Sequence, residues 1–288
     1  MNELSCIQAF VSIVENGSQL EASKRLNQTS AAVNKKLAKL ESKLGVLLLE
    51  RDTKSSKLTH IGEQYYHIYR DILDKLEDAN QIALKDKAKP KGRLLISVNA
   101  SIAKNYLAPR IAEFTSLYPD IFLVFDIVEK TADFIPEKQD ILIAPDYMQY
   151  ENLVRKKIFE TSDILCASPA YIKSFGNPED LQSLHQHRYI GQCQRQPLNQ
   201  ITLSKKHQTE INNPFVRVND ERIAIELALQ GLGFIYIKSY QVTELLFKKE
   251  LMQLLPDITK NKTSYSMYYH AQNFIPPKVR AFVEFFTS

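Results

Sequence analysis

The chain has 288 residues, 44% of them apolar, and a formal charge of +4 from 37 basic and 33 acidic residues. That length accommodates two domains, since single cores stop growing at ~250–300 residues, and the apolar content excludes global disorder. The charge is too mild to indicate a nucleic-acid partner by itself, and no stretch approaches the ~18 consecutive apolar residues of a membrane span.

In chain order, Leu4, Ile7, Phe10, Val11 and Val14 mark one face of a first helix, ended by Asn16-Gly17. The start does not read as a signal peptide: Glu3 stands where positive charge belongs, and Gln8 and Glu15 interrupt the apolar run. Ser18 with Glu21 three residues on has capping-box spacing and opens a short second helix that hides Leu20, Ala22 and Leu26. Asn27-Gln28-Thr29 breaks the period. Thr29 or Ser30 then caps a third helix, which hides Val33, Leu37 and Leu40, shows Ser30, Asn34, Lys35 and Lys39, and stops at Gly45.

Two short helices of this kind suit a helix-turn-helix. The first braces, and the second enters a major groove about 12 Å wide with short polar donors outward. Between residues 30 and 57, Lys35, Lys36, Lys39, Lys43, Arg51, Lys54 and Lys57 face only Glu41, Glu50 and Asp52, an excess equal to the whole chain's +4. An ordinary solvated helix face carries the same residue types, so the pattern alone leaves both readings open.

Residues 46–59 read as two short strands, VLLLER and KLT, around DTKSS. Ile61, Tyr65, Ile68, Ile72, Leu76, Ala79 and Ala83 then form one stripe on a long helix whose outer face holds Glu63, Arg70, Asp71, Lys75 and Asp78. A narrow stripe over ~6 turns suits pairing with a second copy; packing onto its own domain is the alternative. KDKAKPKG (85–92) reads as a linker and domain boundary.

Beyond it, strand-like runs LLISV (94–98), IFLVFDI (121–127), DILIA (140–144), DILCA (163–167), FVRV (215–218) and GFIYI (233–237) alternate with helical patterns at 104–117 and 221–230. The alternation predicts an α/β domain with a mostly parallel sheet and helices on both faces. A final helix presents Val279, Phe282, Val283 and Phe286 on one face, with Pro276 and Pro277 at its start.

Cys6, Cys166 and Cys193 are too few and too widely spaced for a disulfide framework or a zinc site, and read as reduced thiols of a cytoplasmic protein. His185-x-His187 reads as two solvent-facing residues without a third metal ligand.

The sequence resembles the LysR-type transcriptional regulators along essentially its entire length. The most specific segments are AFVSIVENGSQLEASKRL, TSAAVNKKLAKLESKLGVLLLER and KLTHIGE; further on, GRLLIS, FTSLYP, DILI, CASPAYI, VRVND, GLGF and PPKVRAFVEFF match too. The resemblance implies a winged helix-turn-helix over residues 1–60, a dimerising linker helix and hinge over 61–91, and an effector-binding domain over 92–288. That last domain is two-lobed and Rossmann-like, similar to periplasmic binding proteins, with lobe I at about 92–160 and 267–288 and lobe II at about 161–266. It implies double-stranded promoter DNA and a small-molecule effector as partners, a homodimer or a homotetramer of two dimers, and no cofactor, metal, membrane or catalytic role.

Carried onto this chain, the DNA-binding residues are Thr29, Ser30, Ala31, Asn34, Lys35 and Lys39, with Arg51, Lys54 and Lys57 at the wing. Ser30 and Ala31 replace the family's Gln and Pro, Asn34-Lys35 replaces Ser-Arg, Gln28 replaces an apolar turn residue, and Lys238 stands where a proline is common. Lysine is not equivalent to arginine as a base reader, so operator preference does not carry over, and Asn34 becomes the candidate reader of an adenine edge.

Open α/β sheets bind ligands where strands end and helix N-termini begin. LLISVN ends at Asn99-Ala100-Ser101, which places Ser101 and Ile102 to meet a small anion or polar ligand; a plain helix cap is the alternative for Ser101, and the two coexist readily. The resemblance adds Thr131, in a segment where Glu129 and Lys130 also lie, then Gln192, Cys193, Asn219 and Phe234. Arg195 is the only nearby basic residue that could activate Cys193, too little for a thiol switch. Against an enzyme, the chain has no GxSxG, P-loop or GxGxxG motif. Against a purely architectural DNA-binding protein stands the long two-lobed half, since such binding requires no cleft.

Overall fold

The computed structural model describes residues 2–50, 57–84, 89–128, 139–146, 153–193, 199–270 and 275–287. It divides into two compact units. The first is Met1–Arg93 with Asp120–Phe122 and Pro276–Lys278; the second is Leu94–Pro119, Leu123–Ile275 and Val279–Ser288.

The first unit is built on α1 (Glu3–Asn16), α2 (Gln19–Arg25), α3 (Ser30–Leu44) and α4 (His60–Leu84). Local chemistry sets their ends. Ser18 Oγ accepts from Glu21 N at 3.1 Å, while the Glu21 carboxylate turns to Lys24 Nζ at 2.7 Å. Thr29 Oγ1, rather than Ser30, caps α3 by accepting from Ala32 N at 3.2 Å. Gly45 ends α3 at φ 70°, a left-handed conformation that a side chain disfavours.

Helix α1 is buried on more than the predicted face: Cys6, Ala9 and Ile13 join Ile7, Phe10 and Val11 in a core shared with Ala22, Val33, Leu37, Leu40, Leu48 and Tyr69. Leu20, expected inside, is 58% exposed, because the two-turn α2 turns only Ala22 and Ser23 inward. Residues 46–59 pair more sparsely than two full strands. Leu49 bridges Leu58, Glu50 N donates to Lys57 O at 2.9 Å, and Glu41 Oε1 accepts from Leu48 N at 2.8 Å, which fastens the wing's base to α3.

Helix α4 has two apolar faces where one stripe was expected. Tyr65, Tyr66, Tyr69 and Leu73 pack on the core of the first unit, with Tyr69 edge-on to Phe10 at 6.3 Å. Ile61, Ile68, Ile72 and Leu76 point elsewhere and stay 37–54% exposed. Arg70 and Asp78, assigned to the outer face, are largely covered: Arg70 pairs with Asp74 at 3.0 Å and Asp78 with Lys278 at 3.1 Å, all within the first unit.

In the α/β part, β1 (Gly92–Val98) leads into α5 (Ala100–Ile102), a π-helical turn (Ala103–Leu107) and α6 (Ala108–Leu117), followed by β2 (Ile121–Ile127), β3 (Ile141–Pro145) and β4 (Leu153–Thr161). The chain then crosses into β5 (Asp163–Ala167), α7 (Pro169–Phe175), β6 (Ile190–Gln192), β7 (Gln200–Thr202), β8 (Gln208–Glu210), β9 (Val216–Val218), α8 (Glu221–Leu229), β10 (Ile235–Lys238), α9 (Thr243–Phe247) and β11 (Met252–Leu254). It returns through β12 (Thr263–His270) and ends in α10 (Pro277–Thr287).

Lobe I is a five-stranded sheet in the order β2-β1-β3-β12-β4. It is mixed rather than mostly parallel: β1 and β3 run parallel, while β12 is antiparallel to both β3 and β4, because the chain re-enters from lobe II in the reverse sense. Strands β4 and β12 were not predicted. β4 lies at the sheet edge, and its exposed Arg155-Lys156-Lys157 obscures the alternation that marks a strand while blunting a free edge.

Lobe II carries the antiparallel set β10-β5-β11 and the parallel pair β6–β9, which Tyr189 links to Phe234 by a parallel bridge. Val279, Phe282, Val283 and Phe286 of α10 are all buried, and Phe114 of α6 meets Phe282 edge-on at 5.2 Å.

Candidate functional site

Two surfaces carry the sequence-derived candidates. On the first, α3 buries Val33, Leu37 and Leu40 and exposes Thr29, Ala31, Asn34, Lys35 and Lys39. Ser30 is half-buried, its Oγ 3.2 Å from Ser23 Oγ across the turn. Lys57 is exposed on the returning arm of the wing; Arg51 and Lys54 lie outside the described residues. Sequence reasoning missed one contact. Lys36 Nζ donates to Gln28 Oε1 at 2.8 Å and ties α3 to the turn before it. The polar Gln28 at an apolar turn position was the available signal. Lys43 is turned to Glu3 at 2.6 Å, while Asn34 and Lys35 are exposed.

The second surface starts at the turn after β1. Asn99 Oδ1 accepts from Ser101 N at 2.8 Å, and Asn99 O accepts from Ala103 N at 3.0 Å. Asn99 is therefore the helix cap, the role considered for Ser101, and it already occupies the Ser101 amide. Ala100 is exposed, Ser101 half-buried and Ile102 buried, which leaves the Ser101 hydroxyl as the polar group of this turn.

That hydroxyl meets Tyr240, which sequence reasoning did not identify. Burial pushes the Tyr240 phenol above its ordinary value, and the Glu221 carboxylate adds to this; hydrogen bonds with Ser101, Gln241 and Tyr265 act in the opposite direction. Tyr240 thus stays neutral and able to donate as well as accept. Gln241 Nε2 donates to Glu221 Oε2 at 2.7 Å.

Gln192, Cys193 and Asn219 come together where β6 and β9 end. Cys193 N donates to Val218 O at 2.8 Å, and Cys193 and Asn219 are exposed. Gln192 is buried, its Nε2 donating to Tyr236 O at 3.2 Å. Phe234 is fully buried and stacked on Tyr189 at 5.1 Å, so its side chain belongs to the lobe II core and not to an open surface. Thr131, Glu129, Lys130 and Arg195 lie outside the described residues. Beside Asn219, the Arg222 guanidinium and backbone amide hold the Asp220 carboxyl down to about 2, and Asp220 caps α8 through Arg222 N at 2.8 Å. His185 and His187 diverge: His185 meets Thr209 Oγ1 at 3.2 Å and His187 meets the Tyr171 hydroxyl at 3.2 Å.

Residues 4–63 match the bacterial regulatory helix-turn-helix protein, lysR family, and residues 87–288 match the LysR substrate binding domain. The chain is 27% identical to the HTH-type transcriptional regulator YhjC of Escherichia coli over 99% of its own length and 96% of that protein. To the regulator CrgA of Neisseria meningitidis it is similarly 27% identical; the solved CrgA structure superposes with a TM-score of 0.64, covering 98% of this chain and 97% of that one. The full-length Vibrio cholerae virulence activator AphB gives a TM-score of 0.62 at 27% identity, covering 99% and 98%. A helix-turn-helix with a polar, basic second helix, a long following helix and a two-lobed α/β domain are thus joined in the order these proteins share, and the chain belongs to the LysR family of DNA-binding transcriptional regulators with an effector-binding domain.

Proposed function

We propose that α3 reads an operator in the major groove of double-stranded DNA, and that a small molecule held between the two lobes modulates that binding. The exposure pattern of α3 carries the reading: the side chains able to donate to base edges, Asn34 and Lys35, project from a helix whose opposite face is sealed. Thr29, Ser30, Ala31 and Lys39 flank them. Lys57, with Arg51 and Lys54, is assigned to phosphates, where basic residues supply affinity without sequence information. On this reading residues 1–60 bind DNA, 61–91 pair two copies, and 92–288 bind the effector.

The exposed Ile61, Ile68, Ile72 and Leu76 support pairing along α4 into a homodimer, and two dimers make a tetramer. For the effector we assign the turn Asn99–Ile102, whose Ser101 hydroxyl hydrogen-bonds Tyr240, together with Gln192, Cys193, Asn219 and Thr131. The ligand acts through different affinities for two conformations. Among the described residues no helix is long and apolar enough to cross a membrane, and the protein acts on DNA in the cytoplasm.

Footprinting of the promoters beside its own gene, with and without metabolite pools, tests the reading. The expected result is a pair of protected half-sites separated by whole helical turns, with a footprint that changes when the effector is present. Binding of equal strength to every duplex fragment would sink it.

A further inference from the structure

We propose that the four residues at the end of β10, Lys238-Ser239-Tyr240-Gln241, form an interlobe clasp, pinned by Lys238, that holds the two lobes at a set angle. Two connections cross between the lobes. One runs from β4 through Ser162 into β5, and the other from β11 through residues 259–262 into β12. Lobes joined by two strands rotate about them unless side chains restrain the crossing.

Here one strand end grips both. Lys238 Nζ donates to Asp163 Oδ2 at 2.6 Å, its cross-strand partner within lobe II, and to Thr263 Oγ1 at 2.9 Å, the first residue of β12 in the lobe I sheet. The side chains of Lys238 and Asp163 are only 17% and 13% exposed, so the pair is little screened. Ser239 N donates to Ser162 O at 2.8 Å, and Ser239 Oγ lies 3.0 Å from Thr161 Oγ1.

The Tyr240 ring stands edge-on to Phe159 at 5.5 Å and to Tyr265 at 5.9 Å. Phe159 and Tyr265, on the two crossing strands, are stacked at 5.0 Å, and Tyr106 of lobe I lies against Phe159 at 4.8 Å. Gln241 anchors the far end to Glu221 at the start of α8. Asn261, within the second connection, is bound to the first: its Oδ1 accepts from Asp163 N at 2.7 Å, and its Nδ2 donates to Asp163 O at 2.9 Å and Thr202 O at 2.7 Å.

Lys238 stands where the resemblance noted above implies a proline. Its φ of −66° is the value a proline ring imposes, so the backbone shape is kept and an ammonium is added to it. A ligand that reorients the lobes has to break or bend these contacts. The clasp therefore sets part of the difference between the two conformations through which a ligand acts. That bearing on regulation rests on the cleft reading above; the clasp itself rests on contacts within the second unit.

The test uses the full chain, without DNA or ligand, so its failure is separable from failure of the DNA or effector reading. Spin labels are placed on Ser116→Cys of lobe I and Lys173→Cys of lobe II, both exposed helix positions, in a Cys193→Ser background where Cys6 and Cys166 are buried. Labelled chain is diluted into excess unlabelled protein so that only distances within one chain are read. The parent gives one narrow distance distribution. Lys238→Met broadens it and speeds amide exchange at residues 159–163 and 261–265 by about tenfold, equivalent to losing one charge-assisted hydrogen bond. The charge swap, Lys238→Asp with Asp163→Lys, restores both readouts. An unchanged distribution with unchanged exchange in Lys238→Met, or a folded swap variant that fails to restore them, overturns the proposal. Lys238→Gln, which keeps a polar side chain, covers intolerance of methionine, and a narrow distribution there overturns it equally.

Discussion

Asn34 and Lys35 sit side by side on the exposed face of α3 and are predicted to do different work. An asparagine pairs bidentately with adenine and discriminates bases, whereas a lysine acts as a point charge. Asn34→Ala should lower affinity for the native operator by roughly 10–100-fold, from the ~1–3 kcal/mol of a bidentate pair, with little change on scrambled DNA. Competition binding against single-base operator variants measures this, and undiminished discrimination refutes the assignment. Lys57→Ala should weaken binding to every duplex alike and flatten the salt dependence by about one phosphate's worth. A salt titration of affinity reads it directly, and a loss confined to one operator contradicts it. At this scale the sequence was informative where a residue's chemistry is self-contained, as with Thr29 or Asn34. It was silent on Tyr240, whose position comes from a strand end delivered by the whole of lobe II.

At the scale of elements, the motif KLTHIGE shows how a sequence signature encodes a close approach. Thr59 Oγ1 accepts from Gly62 N at 2.9 Å and donates to Leu47 O at 2.8 Å, so it caps α4 and ties it to the wing. A Cβ on Gly62 would lie 1.9 Å from Leu48 O, a backbone atom that cannot swing aside. Gly62→Ala should destabilise the first unit by about 3 kcal/mol, the upper range of overpacking, measured by urea unfolding followed through helicity. A substitution without effect would mean that the wing moves freely from α4.

Helix α8 offers a pH prediction. The Asp220 carboxyl is held at about 2 by Arg222, below the ordinary value near 4 for an unfolded aspartate. Its stabilising contribution is therefore present above about pH 4 and disappears as pH falls toward 2. Asp220→Asn retains a capping oxygen but not the titration, so its Tm should vary less with pH across that window; parallel curves would contradict it. The unpredicted strands β4 and β12 belong here too. Their burial comes from neighbours distant in sequence, and an edge strand with three consecutive basic residues shows no alternation to read.

For the whole molecule, the prediction concerns assembly. Ile61, Ile68, Ile72 and Leu76 expose apolar area on the face of α4 turned away from its own core. Ile68→Glu should give a folded monomer by sedimentation, and operator affinity should fall by about 100-fold or more as the second half-site contact is lost. A variant that stays dimeric shows that pairing uses another surface.

The order of domains, the Ser18 cap, the helix stops at Gly17 and Gly45 and the family were determined by the sequence alone, because caps, hydrophobic periods and short motifs act through neighbours within a few residues of one another. Only the tertiary structure decided that α4 has two apolar faces, that Phe234 faces a core, and that Lys238 reaches Asp163 and Thr263. Each of these depends on which distant segment is packed opposite, and no local pattern specifies that.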